Sequence, residues 1–124
     1  MFHIKVKLKE SPIHGIGLFT DEDIPKGKTI YSPNPKLNLL LTREELSKLS
    51  PNEKETIEHY GYYDELRNGW HLSFDDIRFC NHSSKNNITR QNGDVVAKRN
   101  IKKGEELTHN YEEFENPIRE GLIN

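Results

Sequence analysis

Apolar and polar side chains alternate over residues 2–9 of the chain. The apolar positions of this segment are Phe2, Ile4, Val6 and Leu8. Because successive side chains of a strand point to opposite faces, an alternation with a period of two is typical of a half-buried strand. We therefore predict a strand over residues 2–8, which the Ser11-Pro12 pair ends.

Two capping-box sequences in the middle of the chain predict a small helical insert over about residues 42–60. Thr42 and Ser50 each stand three positions before a glutamate, and a proline follows Ser50 directly. In a capping box the hydroxyl accepts a hydrogen bond from the third helical amide, while the glutamate reaches back to the capping residue. Proline is also favoured at the first helical position. We predict helices at about residues 43–49 and 51–59.

Turn signals predict that short strands make up most of the remaining chain. Two of these signals are pairs typical of tight β-hairpins, Asn68-Gly69 and Asn92-Gly93. The sequence Ile-x-Lys-Gly also occurs twice and ends at Gly27 and at Gly104. Each of these glycines stands where a turn requires a positive φ. Together the signals favour a mainly β fold that carries the small helical insert.

Length and composition narrow the class of protein. A chain of 124 residues suits a single domain, here residues 1–124. The net charge of −2 provides no basic surface, which argues against direct binding of nucleic acid. No apolar run approaches the roughly 20 residues of a membrane span, and the opening alternation does not match a signal peptide. We expect no membrane partner and an intracellular location, cytoplasmic or, in a eukaryotic or viral setting, nuclear.

The stretch RFCNHSSKNN, residues 78–87, holds the single cysteine of the chain, Cys80, close to His82. A Cys–His nucleophile is one interpretation, because residues two apart on a strand share a face. No third group that would orient the histidine is evident, and a lone cysteine is more often a small buried hydrophobe. A plain turn is the other interpretation, because asparagine and serine side chains bond to their own backbone.

The histidines and the cysteine lack the spacing of a metal site. The six histidines include no H-x-x-x-H pair, and a single cysteine excludes both a C-x-x-C pair and an internal disulfide. One cysteine also fits a reducing compartment. We therefore predict that the chain binds no metal ion.

Three short motifs resemble those of the SET-domain protein lysine methyltransferases and occur in the same order. They are Gly15-x-Gly17, Arg78-Phe79-x-Asn81-His82-Ser83 and Glu106-Leu107-x-x-Asn110-Tyr111. The resemblance spans about residues 3–114. It implies the SET-domain fold, which is of the β-clip type and mainly β. That fold has several small curved sheets and a short helical insert, and its C-terminal segment passes under an earlier loop as a pseudoknot.

The resemblance implies S-adenosylmethionine as the methyl donor and a lysine of a histone or other basic protein as the acceptor. Tyr111 would be the catalytic residue, with its hydroxyl beside the transferring methyl. The implied donor contacts are Gly15, Ile16, Gly17, Asn81, His82, Tyr111 and Phe114. The implied walls of the lysine channel are His109, Tyr62 and Trp70. Hairpin aromatics are more often core residues, and Phe114 could equally be a simple C-terminal anchor.

Several positions depart from the pattern of the family. Ser84 and Asn86 stand where members commonly have cysteine and proline, and His109 stands where they usually have phenylalanine or tyrosine. The chain resembles a short, minimal SET domain without a cysteine-rich extension, so no structural zinc is expected. These departures leave a second interpretation open, a non-catalytic SET-like module that binds a ligand or peptide. The expected partner is a substrate protein or peptide, and a homodimer remains open.

Overall fold

The computed structural model describes residues 1–65, 67–110 and 112–113. Within these ranges the chain forms ten short strands and two α-helices. Their bounds are β1 Val6–Glu10, β2 Ile16–Thr20, β3 Thr29–Tyr31, β4 Asn38–Leu41, α1 Arg43–Ser47, α2 Pro51–Tyr60, β5 Tyr62–Asp64, β6 Gly69–Ser73, β7 Asn81–His82, β8 Ile88–Gln91, β9 Asp94–Ala97 and β10 Thr108–His109. Single 3₁₀ turns cover Pro35–Leu37 and Asp76–Phe79. No helix in the described part of the chain is long and apolar enough to cross a membrane.

The strands are arranged in four small sheets. β1 and β2 form an antiparallel hairpin, and β7 and β10 form a parallel pair. The two three-stranded sheets have the strand orders β3-β9-β8 and β4-β6-β5. The mainly β arrangement predicted from the turn signals is therefore observed, with the two helices inserted between β4 and β5.

The helical insert forms through the two capping boxes that the sequence predicts. The Thr42 hydroxyl accepts a hydrogen bond from the amide of Glu45, whose side chain accepts one from the amide of Thr42. Ser50 and Glu53 repeat this exchange at the start of α2. α1 ends two residues earlier than predicted and α2 one residue later. Such differences are normal at frayed helix ends.

The first predicted strand is shorter than its alternating pattern indicates. It starts at Val6, because the chain bends at His3 and Ile4. The amide of His3 donates to the carbonyl of Ile30, and Phe2 forms a bridge with Tyr31. The first residues therefore pair with β3, a different sheet. Local alternation reports which side chains are buried but not which strand the backbone will pair with.

Both asparagine–glycine pairs lie at hairpins, but only one forms the predicted two-residue turn. Asn92 and Gly93 have φ values of 55° and 88° and connect β8 directly to β9. At the other hairpin Asn68 has a φ of 55°, while Gly69 is already the first residue of β6. A Cβ at Gly69 would lie 2.6 Å from the carbonyl oxygen of Leu41. The glycine is required there because β4 approaches closely.

The two Ile-x-Lys-Gly turns pair with each other. Ile24 and Ile101 exchange two backbone hydrogen bonds of 2.7 and 2.8 Å. The side chains of Asp23 and Asn100 each accept a hydrogen bond from a backbone amide of the opposite turn. Both turn glycines have a positive φ, as the sequence predicts. The pairing joins the N-terminal and C-terminal parts of the chain around the hydrophobic core.

The segment at residues 105–110 threads between earlier parts of the chain. On one side the amide of Leu107 donates to the carbonyl of Leu18 on β2. On the other side the amide of Ser83 donates to the carbonyl of His109. Leu18 and Leu107 are fully buried, so this crossing lies in the core. The segment therefore lies between β2 and the residues that follow β7, and the pseudoknot that the resemblance implies stays a prediction.

Candidate functional site

The parallel pair β7–β10 brings together two motifs that are distant in the sequence. Asn81 lies opposite Thr108, and His82 lies opposite His109. Parallel strands require a crossover connection between them, and β8 and β9 lie within that connection. The Asn-His motif and the C-terminal motif therefore meet at a point fixed by backbone hydrogen bonds.

The larger of two neighbouring cavities has a volume of about 280 Å³. Three of the residues predicted to contact the methyl donor line it, namely Gly15, Ile16 and Asn81. His82 follows on β7 with an exposed side chain. The volume is close to the lower end of the roughly 300–1,000 Å³ usual for small-molecule sites. This cavity is the candidate donor site.

The side chain of Asn81 is held in one orientation. Its Nδ2 donates to the carbonyl oxygen of His14 and to a carboxylate oxygen of Glu106, both at 3.0 Å. A carbonyl and a carboxylate can only accept hydrogen bonds, so the amide nitrogen must face them. The Oδ1 atom of Asn81 is then the side-chain atom left to accept a hydrogen bond from a ligand.

Sequence reasoning missed several residues of this cavity. Tyr60 ends α2, and its ring centroid lies 5.5 Å from that of Phe79. The guanidinium of Arg78 lies over both rings. Arg78 and Phe79 belong to the quoted motif and could have been assigned from it. Tyr60 has no such signal, because the helical insert contains none of the three family motifs.

The smaller cavity, of about 70 Å³, shares Tyr60 and Arg78 with the larger one. It is lined mainly by aromatic and apolar groups, and its volume suits a single side chain. His109 and Tyr62, two of the three predicted channel residues, line it. The two cavities therefore lie on either side of a common wall.

Trp70, the third predicted channel residue, does not line this cavity. Neighbouring residues of a strand face opposite ways, and on β6 it is His71 that faces the cavity. Trp70 instead contacts Tyr63, with ring centroids 6.3 Å apart. The aromatic character of the hairpin was recognised from the sequence, but the face that each ring occupies was not.

The titratable side chains with shifted pKa values in the smaller cavity are neutral at pH 7 and lie beside two cationic groups, Arg78 and Arg90. Burial, followed by the nearby His82 and Arg90, lowers the pKa of His109 to about 3. Burial also lowers the pKa of His71 and raises that of Tyr62. With Arg90 at its wall, the cavity is a poor environment for an ammonium ion and a better one for a neutral amine.

Acid should destabilise the protein through His109. The pKa of this group is about 6.5 in the unfolded chain and about 3 in the fold. Between pH 6.5 and pH 3 the His109 ring is protonated in the unfolded chain but neutral in the fold. The free energy of unfolding therefore falls as the pH drops through this range. We expect His109→Phe to remove a loss of about 3 kcal/mol at pH 4. Urea unfolding at several pH values measures this, with His3→Gln at an exposed position as the control. Parallel pH profiles of wild type and His109→Phe would contradict it.

Cys80 has the environment of a core residue. It is 2% exposed, and its thiol donates to the carbonyl oxygen of Leu107 at 3.3 Å. Burial and the nearby Glu106 raise the pKa of the thiol, which disfavours the thiolate that a nucleophile requires. Among residues 1–65, 67–110 and 112–113, no three His, Cys, Asp or Glu side chains form a group that could hold a metal ion. The metal-free site stays a prediction.

Asn87, which the sequence analysis did not single out, holds β10 in place. Its Nδ2 donates to the carbonyl oxygen of Glu106 at 2.8 Å, and its Oδ1 accepts from the amide of Thr108 at 2.9 Å. The side chain is almost fully buried. A pair of asparagines inside a small polar run could have indicated such bonds to the backbone.

Tyr111, the predicted catalytic residue, and Phe114 lie outside the described residues. The chain on both sides of position 111 is anchored. β10 ends at His109, and the Glu113 carboxylate accepts hydrogen bonds from Asn86 at 3.2 and 3.3 Å. Asn86, which stands where the family commonly has proline, therefore connects the end of the described chain to the core.

The described residues form a mainly β fold with two neighbouring cavities that share Tyr60 and Arg78. The family model described as the SET domain matches residues 15–112. The chain belongs to the SET-domain family. The mainly β SET fold with a helical insert, expected from the resemblance, is thereby confirmed.

Solved structures share this fold. A candidate histone methyltransferase of Plasmodium falciparum is 23% identical, with a TM-score of 0.61 over 88% of this chain and 94% of that chain. An active polycomb repressive complex 2 contains a chain that is 26% identical, with a TM-score of 0.64 over 87% of this chain and 15% of that chain. The polycomb repressive complex 2 of Chaetomium thermophilum contains a chain that is 23% identical, with a TM-score of 0.65 over 96% of this chain and 17% of that chain. The chain thus spans most of the first protein and about a sixth of the other two. No curated protein sequence matches significantly.

Proposed function

We propose that the chain is a protein lysine N-methyltransferase that uses S-adenosylmethionine as the methyl donor. The observation that carries the proposal is the pair of cavities that share Tyr60 and Arg78. One is large enough for a small molecule and contains the motif residues, and the other suits one side chain. A histone is the proposed substrate class, because the structural relatives include a candidate histone methyltransferase.

The residues of the larger cavity fit the polar groups of the donor. The Oδ1 atom of Asn81 can accept a hydrogen bond from the donor's ammonium group, because the Nδ2 atom is held by His14 and Glu106. Gly15 has a φ of 47° and open space beside its Cα, so its backbone can approach a ligand closely. When bound, the donor supplies an activated methyl group on a sulfonium.

The smaller cavity fits the second requirement of the reaction, which is a neutral lysine. The lysine amine has a pKa of about 10.4 in water and is protonated at pH 7. Burial, with no acidic side chain in the described part of the lining and the cations Arg78 and Arg90 at the wall, favours the uncharged amine. The Nδ1 atom of His71 is buried and has no hydrogen-bond partner among the described residues. It can therefore bond to the amine and help to orient it.

Removing the Asn81 amide should weaken donor binding. We expect Asn81→Ala to cost about 1–3 kcal/mol in affinity, since polar groups of the donor and of the protein then lose a partner. Calorimetric titration with S-adenosylmethionine and S-adenosylhomocysteine measures the change. Asn52→Ala, at an exposed position of α2, is the matched control. A wild-type chain that binds neither compound would contradict the proposed function.

The second candidate function is a SET-like module that binds a ligand or peptide without transferring a methyl group. The observation that favours it is His109, a polar ring in the smaller cavity where the family usually has phenylalanine or tyrosine. Incubation with labelled S-adenosylmethionine and a panel of histones and other basic proteins distinguishes the two functions. Incorporation of label into a lysine supports the enzyme, and donor binding without incorporation supports the module.

A further inference from the structure

We infer that Glu106 is a positioning residue of the donor cavity, and that it acts through the side chain of Asn81. The inference rests on the proposed donor site and adds a residue that does not line the cavity itself. Glu106 precedes β10, whereas Asn81 lies on β7 and lines the larger cavity. The contacts of the Glu106 carboxylate connect this cavity to the N-terminal hairpin.

The Glu106 carboxylate determines which way the Asn81 amide points. One carboxylate oxygen accepts from Nδ2 of Asn81 at 3.0 Å, and the carbonyl of His14 accepts from the same nitrogen at 3.0 Å. The amide nitrogen has two hydrogens, and both are used. If the carboxylate were replaced by a group that also donates, the amide could rotate and its Oδ1 would no longer be reserved for a ligand.

The carboxylate is itself held from the other side. The hydroxyl of Ser11 lies 2.9 Å from both oxygens of Glu106 and donates to the carboxylate. The backbone of Glu106 forms a bridge with Phe19 on β2. The side chain is therefore fixed both at its base and at its tip. Such a residue can orient Asn81 without rearranging when a ligand binds.

Gly17 provides an independent observation for the same role. A Cβ at this position would lie 2.4 Å from Oε2 of Glu106 and 2.9 Å from Cβ of Ser11. The resemblance implies that Gly17 contacts the donor, but Gly17 does not line the larger cavity. In the structure the space beside Gly17 is occupied by the Glu106 carboxylate. A glycine is required there because any side chain would displace that carboxylate.

The test compares Glu106→Gln with Glu105→Gln in the full chain. Glutamine keeps the size of the side chain but directs an NH₂ group at one of its donors, so we expect the dissociation constant of S-adenosylhomocysteine to rise about 10- to 100-fold. The donor KM should rise with it, while kcat changes much less. Glu105 bonds instead to Arg99 and the amide of Lys102. Its variant should bind like wild type.

Three further variants test the route through Asn81. Ser11→Ala removes one support of the carboxylate and should weaken binding several-fold, and Gly17→Ala should resemble Glu106→Gln. In a chain that already carries Asn81→Ala, Glu106→Gln should raise the dissociation constant of S-adenosylhomocysteine little further. Wild-type affinity in both Glu106→Gln and Ser11→Ala would overturn the inference, as would an undiminished effect of Glu106→Gln in the Asn81→Ala background. A wild-type chain that binds no donor would instead remove the proposed function on which the inference rests.

Discussion

Replacing Tyr111 by phenylalanine is expected to lower turnover by two to three decades while changing donor affinity far less. By the resemblance, the hydroxyl stands beside the methyl group during its transfer. An interaction that is stronger in the transition state than in the ground state contributes to kcat rather than to binding. Losing one positioned polar group at a developing charge typically costs about 2.7–4 kcal/mol. The effect should therefore appear mainly in kcat.

Rates of labelled methyl transfer and calorimetric titration with S-adenosylhomocysteine together measure this split. Tyr63→Phe is the matched control, because its hydroxyl bonds to Asn68 in an exposed loop, away from both cavities. We expect the control to retain its rate. If Tyr111→Phe turned over as fast as wild type, the residue would be structural and the binding module would become the better proposal.

Asn87→Ala is expected to destabilise the fold by about 2–4 kcal/mol. The substitution leaves the carbonyl of Glu106 and the amide of Thr108 without the partners that they have in the core. A buried backbone group without a hydrogen bond costs about 1–3 kcal/mol. Because these two groups flank the start of β10, the threaded segment should loosen as well.

Urea unfolding followed by circular dichroism measures the loss. Asn52→Ala, at an exposed position of α2, should change the free energy of unfolding by less than about 0.5 kcal/mol. Hydrogen exchange at the amides of residues 105–109 should accelerate in Asn87→Ala but not in the control. A destabilisation below about 1 kcal/mol would show that water or another group replaces the side chain.

The elements that the sequence predicted well are those whose hydrogen bonds close within a few residues. The capping boxes at Thr42 and Ser50 and the turn at Asn92-Gly93 form as predicted. Each depends on the conformations available to a few adjacent residues, so the local sequence contains the necessary information. The first strand is only partly right, because its N-terminal part pairs with β3, which is distant in the sequence.

The residues of the candidate site also fall into those that the sequence indicated and those that only the structure revealed. The sequence by itself determined the family motifs, and three of the donor contacts that they imply, Gly15, Ile16 and Asn81, line the larger cavity, while their binding of a donor stays a prediction. Two of the residues implied to wall the lysine channel, His109 and Tyr62, line the smaller cavity, and the channel itself stays a prediction. These assignments depend only on the identity and order of the residues, which can be compared directly between this sequence and the family motifs.

Only the tertiary structure decided which side chains act on these motif residues. It placed His71 rather than Trp70 at the smaller cavity, set the Glu106 carboxylate against Gly17, and made Asn87 a support for β10. The physical reason is that each of these contacts joins parts of the chain that are far apart in sequence. Their geometry depends on how strands cross and on which face each side chain occupies, and neither is encoded in a short stretch of residues.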